Sequence, residues 1–443
     1  MRVSGPGFRR GSVLIVVLWA SVGLVSVALL FGHSMVMAYR GSDNDASGRQ
    51  ANAAIEGAMR YVETLVKDNP TPGTFLDPTS YVSEDVPVGD ASFWLLGRPD
   101  DYSATNVQSF GIVDEASKLN LNTATLDMLR QLPGMTDELA AAIIDWRDTD
   151  DEPSENGAES ETYLTRRPGY ACKNEPFETV DELALLNGAT RELLYGEDLN
   201  LNGILDPNEN DGNASAPDDN ADGKLDAGIL DYVTVFSREA NKRADGSDRV
   251  NVNQPGDALR TLLTETFNES RAQEIIDRLG PGGTYRSVLE WYGRSGMTAE
   301  EFAKVQDALT TSTTPFVQGL VNVNTASEAV LACIPGIGTD KASSVVGARL
   351  SRTQGDSDMT WIIETIGQES AVQAGPYITG HSWQVSADVA AVGKHGRGYR
   401  RSRFVIDASS EAPRVIYRQN LSPLGWALSR EVRQSLTARR EIR

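Results

Sequence analysis

The stretch that decides the fold is Phe8-Arg9-Arg10-Gly11-Ser12 followed by Val13 to Phe31, VLIVVLWASVGLVSVALLF, in which no residue carries a charge. One helix crosses a bilayer core of roughly 30 Å with about 20 apolar residues, so the run reads as a membrane span. Arg2, Arg9 and Arg10 precede it, and few positive charges follow it closely. The positive-inside bias therefore places residues 1–10 in the cytoplasm and the rest of the chain outside.

Ser34 to Ala38 could serve as the small-residue site of a cleaved secretory signal. The place of Gly11, directly between the arginine pair and the apolar run, argues the other way. It resembles the leader of type IV prepilins and pseudopilins, which is cut after the glycine while the helix is kept. The resemblance implies processing between Gly11 and Ser12. Ile15 and Val16 then stand where most such subunits carry a glutamate, and the member that lacks it is the minor pseudopilin K, placed at the tip with no subunit ahead of it.

Beyond the span, Ala51, Ala54, Ala58, Tyr61, Val62 and Leu65 recur at helical spacing, so Asn44 to Asp68 continues as a helix until Pro70. Pro70 to Pro87 is rich in Pro, Thr, Ser and Asp and reads as loop. Val88 to Gly97 and Ser109 to Asp114 read as short strands, as do His381 to Val392, Tyr399 to Asp407 and Arg414 to Arg418. Strands on both sides of a helical block predict one sheet domain into which the block is inserted. Trp426 to Arg443 is a weakly amphipathic basic tail.

The helical block contains a repeat. Leu119-Asn120-Leu121-Asn122, Val250-Asn251-Val252-Asn253 and Val321-Asn322-Val323-Asn324 are each followed by paired β-branched residues, Ile143–Ile144, Ile275–Ile276 and Val345–Val346. Leu132-Pro133-Gly134-Met135 and Ile334-Pro335-Gly336-Ile337-Gly338 form the turn of a helix-hairpin-helix in the first and third copies; Glu265 to Asn268 replaces it in the second. The asparagine after each strand-like dipeptide reads as a helix N-cap, with Thr123 and Thr325 sharing the role. Such hairpins can hold a phosphate on glycine amides. Asp137 and Glu138 would repel one at the first copy, leaving only Gly336, Gly338 and Lys341 at the third.

A net charge of −21 argues against a general nucleic-acid binder, which needs a basic face. The acid is concentrated between Arg191 and Asp231, and there the spacing is specific. In Asp198 to Glu209, oxygen side chains fall at loop positions 1, 3, 5, 9 and 12 (Asp198, Asn200, Asn202, Asp206, Glu209), with Gly203 at 6 and Ile204 offering its carbonyl at 7. That is the pattern of an EF-hand-type calcium loop. Asp218, Asn220, Asp222 and Asp226 repeat it around Gly223, but position 12 is Ile229, with Asp231 the nearest substitute. Calcium would order a loop that otherwise repels itself.

Two cysteines, Cys172 and Cys333, lie on the exported side, where a disulfide between them is one reading and two separate thiols the other. The acidic run Asp145-Trp146-Arg147-Asp148-Thr149-Asp150-Asp151-Glu152, then Gly157-Ala158-Glu159, has no nucleophile and base beside it. The only histidines, His33, His381 and His395, have no metal-ligand spacing. These acids read as helix caps, ion pairs or further calcium ligands rather than as catalysts.

Leu119 to Ala124, Leu132-Pro133-Gly134, Ile144 to Asp148, Gly157-Ala158-Glu159 with Tyr163, and Tyr170 to Phe177 (YACKNEPF) together resemble the general secretion pathway protein K family, the minor pseudopilin K of type II secretion. The resemblance implies an α+β protein: a transmembrane and spine helix, a pilin-like α/β sheet domain, and a large inserted all-helical (helix-hairpin-helix or SAM-like) domain. The division is 1–11 leader, 12–68 transmembrane and spine helix, 69–118 first part of the sheet domain, 119–356 insert with the calcium loops, 357–425 returning strands, and 426–443 tail. It further implies a non-enzymatic tip subunit of the pseudopilus in the inner membrane, its bulk periplasmic and binding Ca2+. Its partners would be the minor pseudopilins I and J, the major pseudopilin, the prepilin peptidase and the inner-membrane assembly platform. The alternative is a membrane-anchored helix-hairpin-helix DNA-binding protein of the competence type.

Overall fold

The computed structural model describes residues 10–99, 107–280, 282–352, 357–410 and 412–441. Arg2, Phe8 and Arg9 of the leader lie outside them. The span and the predicted spine are one continuous helix, Arg10–Lys67, of 58 residues. At 1.5 Å per residue it is about 87 Å long, several times its diameter. Its apolar half is bare: Val13 to Val17, Leu29, Leu30 and Phe31 are all exposed, and none of the described residues covers them. The second half is seated, with Ala51, Ala54, Ile55, Ala58 and Val62 buried along one stripe. Three of these five are alanine, which lets the helix axis lie close to the sheet beneath.

That sheet has six strands. Its central strand, Gln384–Gly393, is buried at every position and pairs antiparallel with Ala91–Leu96 on one side and Arg397–Asp407 on the other. Val86–Val88 and Arg414–Asn420 form the edges, and Val113–Asp114 pairs with the start of the central strand. The pleat divides the central strand's side chains between two faces. Val385, Ala387, Val389 and Ala391 meet the spine helix. Ala390 and Val392 meet Ala427 and Leu428 of the tail, whose helix Arg430–Glu441 also lays Val432 and Leu436 there. The edge strand Val86–Val88 straddles the predicted boundary, with Val86 and Pro87 in the segment read as loop: Pro87 hides a strand because an edge position needs no donor on its outer side.

Along the chain, the helical insert lies between the strands that precede it and those that follow it, and it has its own large core. The three copies are confirmed as helix pairs: Leu126–Arg130 with Asp137–Arg147, Gly256–Thr266 with Glu269–Leu279, and Glu328–Ala332 with Gly338–Arg349. Each opening dipeptide also pairs, in parallel, with a second dipeptide far along the chain: Leu119–Asn120 with Val233–Thr234, Val250–Asn251 with Leu309–Thr310, Val321–Asn322 with Ile378–Thr379. A two-residue strand closes every copy.

The asparagines are not the helix caps predicted for them. Asn120, Asn251 and Asn322 accept from the backbone N–H two residues on, at 2.9, 2.8 and 3.0 Å, turning the chain out of the strand. Asn122 and Asn253 exchange a pair of bonds with the backbone of Phe177 and Tyr285, as a neighbouring strand would. The caps are Thr125 and Ser327, whose hydroxyls accept from Met128 and Val330. Thr123 and Thr325 lie in the turn before them, where Thr325 donates to Asp114 at 2.6 Å.

Candidate metal centre

The loop Asp198 to Glu209 wraps its own side chains inward. Asp198 accepts from the N–H groups of Asn202 (2.9 Å) and Gly203 (2.8 Å), while Asn200 and Asn202 both donate to Asp206 Oδ2, at 2.8 and 3.0 Å. Glu209 accepts from Asp206 N–H at 2.9 Å, and Asp206 starts the single turn Pro207–Glu209. Gly203 sits at φ +70°, the left-handed region that its place in the pattern requires. The flanking helices are short, Arg191–Tyr195 before and one turn after, so this is a calcium-loop pattern without full EF-hand helices.

The loop is loaded with buried acid. Asp198, Asn202, Ile204 and Glu209 are buried, Glu209 to 1 % exposure. Burial pushes Glu209 up to about 8, reinforced by Asp198 and Asp206, and pushes Asp198 up to about 6 against hydrogen bonds from Gly203 and Asn202. The nearby cation is Arg401, buried on the sheet strand Arg397–Asp407. Its guanidinium donates to the loop carbonyls of Asn200 and, at 2.6 Å, Leu201, but it is also a two-point partner of Asp388, at 2.8 and 2.7 Å. Burial would raise Asp388; Arg401 and Arg403 outweigh it and hold that carboxyl below the ordinary range. One arginine thus serves Asp388 and the loop backbone, and among the described residues the buried carboxylates of Asp198 and Glu209 make no ion pair. Asn200 Oδ1 is buried with no hydrogen-bond partner among the described residues. An all-oxygen set with an orphaned amide oxygen and surplus negative charge fits a hard divalent cation.

The second loop repeats the local geometry and differs in its closure. Asn220 donates to Asp226 Oδ2 at 3.0 Å, as Asn200 does to Asp206, and Gly223 and Ala221 take positive φ as Gly203 and Leu201 do. Asp218, Asn220, Asp222 and Asp226 are exposed. Ile229 at position 12 is fully buried in the core, and Asp231 does not replace it, because its carboxylate pairs with Arg98 at 2.8 Å. The acid that enters this loop is Glu197, which accepts from the N–H groups of Asn220 and Asp226 at 3.2 and 3.0 Å. Glu197 was missed in the sequence because it precedes the first loop, and Arg401 because it lies some two hundred positions away; no local pattern marks either.

Cys172 and Cys333 are both free and buried. Cys172 Sγ lies 3.7 Å from the carbonyl of Asp145 in the first copy, and Cys333 Sγ lies 3.2 Å from that of Ala329 in the third. Burial pushes both thiols up to about 12. At the third hairpin, Lys341 donates to Ser370 Oγ at 2.7 Å, and a Cβ at Gly336 would lie 2.3 Å from the carbonyl of Ser370. The turn that could have cradled a phosphate is packed against the helix Gln368–Ala374 instead.

Comparison with known proteins bears on what this arrangement serves. The family model described as type II secretion system (T2SS), protein K, matches residues 106–195, the first copy and the approach to the first loop. The likeness is to type II secretion system protein K. Protein K of Klebsiella pneumoniae is 44 % identical over 66 residues, 15 % of this chain and 20 % of that one. Protein K of Pseudomonas aeruginosa is 30 % identical over 209 residues, 42 % of this chain and 58 % of that one. The chain thus matches between one fifth and three fifths of the length of these relatives. Among solved structures, the GspK-GspI-GspJ complex from enterotoxigenic Escherichia coli matches with TM-score 0.44 and 9 % identity, over 87 % of this chain and 99 % of that one. The family recognised in the sequence is the one these comparisons return.

Proposed function

We propose that the chain is a minor pseudopilin of type II secretion, a non-enzymatic subunit that starts or caps the pseudopilus at its tip. The observation that carries this reading is the helix Arg10–Lys67, bare and apolar in its first half and seated on the sheet in its second. A helix so divided is a handle: one half fits a bilayer and then a filament core, the other fixes the head to it. The similarity to protein K supports the choice among pilin-like subunits. Ile15 and Val16, apolar where a glutamate would dock on a subunit ahead, suit a position with nothing ahead. The bulk of the insert also suits low copy number, since a head this large cannot repeat along a narrow fibre.

In this reading the N-terminus is cytoplasmic and the head periplasmic, with cleavage between Gly11 and Ser12 by the prepilin peptidase. The partners are the minor pseudopilins I and J, as in the complex of the distant structural neighbour, with the major pseudopilin and the inner-membrane assembly platform. Asp198, Asn200, Asn202, Ile204, Asp206 and Glu209 would hold Ca2+, and Asp218, Asn220, Asp222 and Asp226 a second, weaker ion. The ion would supply charge balance and rigidity, at affinities of about 10⁻⁴ to 10⁻³ M typical of extracellular sites.

The test is isolation of the full chain from membranes of its own host after mild cross-linking. Pseudopilins I and J are expected to come with it, and loss of the chain should stop export. Normal export without the chain, or recovery of salt-sensitive DNA complexes in place of pseudopilins, would overturn the reading.

A further inference from the structure

The charge of the chain is unevenly placed. Against a net charge of −21, Lys394 to Arg403 holds five basic residues and no acid, and Trp426 to Arg443 holds five arginines and two glutamates. Arg401 and Arg403 pair with Asp388 inside the molecule. The others gather at one end of the sheet, the end nearest the bare half of the spine helix.

That end is the hairpin tip Lys394–Gly396, which joins the strands Gln384–Gly393 and Arg397–Asp407. A Cβ on Gly393 or Gly398 would lie 2.2 or 2.3 Å from the backbone of Ser47, and Arg397 is paired with Asp43. From Val13 to Asp45 every residue of the helix is exposed, so this hairpin touches the helix where its seated half begins. No Asp, Glu, Lys or Arg falls between Arg10 and Arg40. Arg40 is therefore the first charge beyond the apolar run, next to Tyr39, an aromatic of the kind that sits at a membrane interface. Arg397 at Asp43 and Arg400 at Gly48 stand about 5 and 12 Å further along the helix axis, comparable to a Debye length of about 8 Å.

The tail descends to the same level. Ala427 and Leu428 pack on Ala390 and Val392, while Leu436 packs at the tip, 3.5 Å from a Cβ on Gly396. The helix Arg430–Glu441 thus runs along the sheet toward the apolar half of the spine, and its last turn, carrying Arg439 and Arg440, continues past the tip. Of the acids here, Asp43 is paired with Arg397, Asp90 with Lys394, and Asp45 is exposed. Arg40 and Arg400 are exposed and make no ion pair among the described residues. A guanidinium meets a phosphate at two points, and each such residue near an anionic bilayer raises its attraction about fivefold.

We propose that Arg40, Arg397, Arg400, Arg439 and Arg440 form a collar that seats the head on anionic phospholipid headgroups of the leaflet from which the helix emerges. An otherwise acidic head would be repelled there, so the collar sets its height and tilt on the bilayer. This requires the helix to span the membrane, as read above.

The experiment places the full-length protein in nanodiscs of phosphatidylcholine, alone or mixed with phosphatidylglycerol, and follows backbone hydrogen exchange. In the anionic discs, exchange over residues 394–400 and 437–441 should slow by at least about tenfold relative to the neutral ones. The difference should vanish in 1 M salt, where the Debye length falls to about 3 Å. Arg400→Gln/Arg439→Gln/Arg440→Gln should abolish it, while exchange at Ile143 and Val330 in the core of the insert stays as in the unaltered protein and reports that the variant is folded. Equal exchange in the two discs would overturn the proposal and turn the collar toward an acidic protein face; slowing that survives salt or the triple variant would overturn it too. Failure to enter either disc, visible by size exclusion before exchange is measured, would instead sink the membrane reading itself.

Discussion

The two acidic loops share a local geometry and end in different places. In each, an asparagine at position 3 donates to an aspartate at position 9 around a left-handed glycine. The first loop is closed by Glu209, buried, and its carbonyls are gripped by Arg401 of the sheet. The second is closed from behind by Glu197, stays exposed, and gives its position 12 to the core as Ile229. Equal patterns thus do unequal work. The first loop is part of the joint between the helical insert and the six-stranded sheet, and the second is a solvated appendix to it.

The largest effect is expected at Arg401. Arg401→Ala leaves Asp388 buried without its two-point partner and releases the first loop from the sheet, which should cost roughly 3–5 kcal/mol in urea unfolding of the full chain. A loss no greater than that of an exposed arginine would mean the joint is elsewhere. Next in size is the metal. Calcium at a hundredfold excess over its Kd should stabilise by roughly 2.7 kcal/mol, read as a rise in Tm. Asp198→Asn should remove most of that rise, whereas Asp222→Asn in the exposed loop should remain within about 0.5 kcal/mol of the unaltered protein in chelator. Equal sensitivity of the two variants would erase the distinction.

A smaller effect follows from Glu209. Its folded value of about 8 lies above the ordinary glutamate value of about 4.3, so the folded state binds that proton more tightly than the unfolded one. The associated stability is fully present below about pH 4.3 and is lost as pH rises through 8. In chelator, Tm should therefore fall as pH is raised from 6 to 8, less steeply in Glu209→Gln, and calcium should flatten the fall. A Tm that climbs over that interval with equal slope in both proteins would contradict the burial argument.

The sequence made the spine helix legible because nothing tertiary competes with an uncharged run of that length. The central strands were legible from their partial alternation and their apolar cores, such as Val385, Ala387 and Val389 and the run Phe404-Val405-Ile406. The repeat was legible in its openings but not in its closings, since Val233–Thr234, Leu309–Thr310 and Ile378–Thr379 are two residues each and far from their partners. A signal existed: each is an apolar residue followed by threonine, whose hydroxyl accepts from the N–H two residues on. Val86–Val88 was hidden by Pro87 and its polar neighbours. At the sites, spacing revealed the ligand pattern of both loops, but burial, which separates them, depends on Arg401 and Glu197.

Retention of the N-terminal helix is tested most directly by N-terminal sequencing with intact mass of the chain recovered from membranes. The predicted result is a mature chain beginning at Ser12 that stays with the membrane, with Gly11 variants keeping the longer, unprocessed mass. A freely soluble chain beginning beyond Phe31, or a mass unaltered by processing in the unmodified protein, would contradict it.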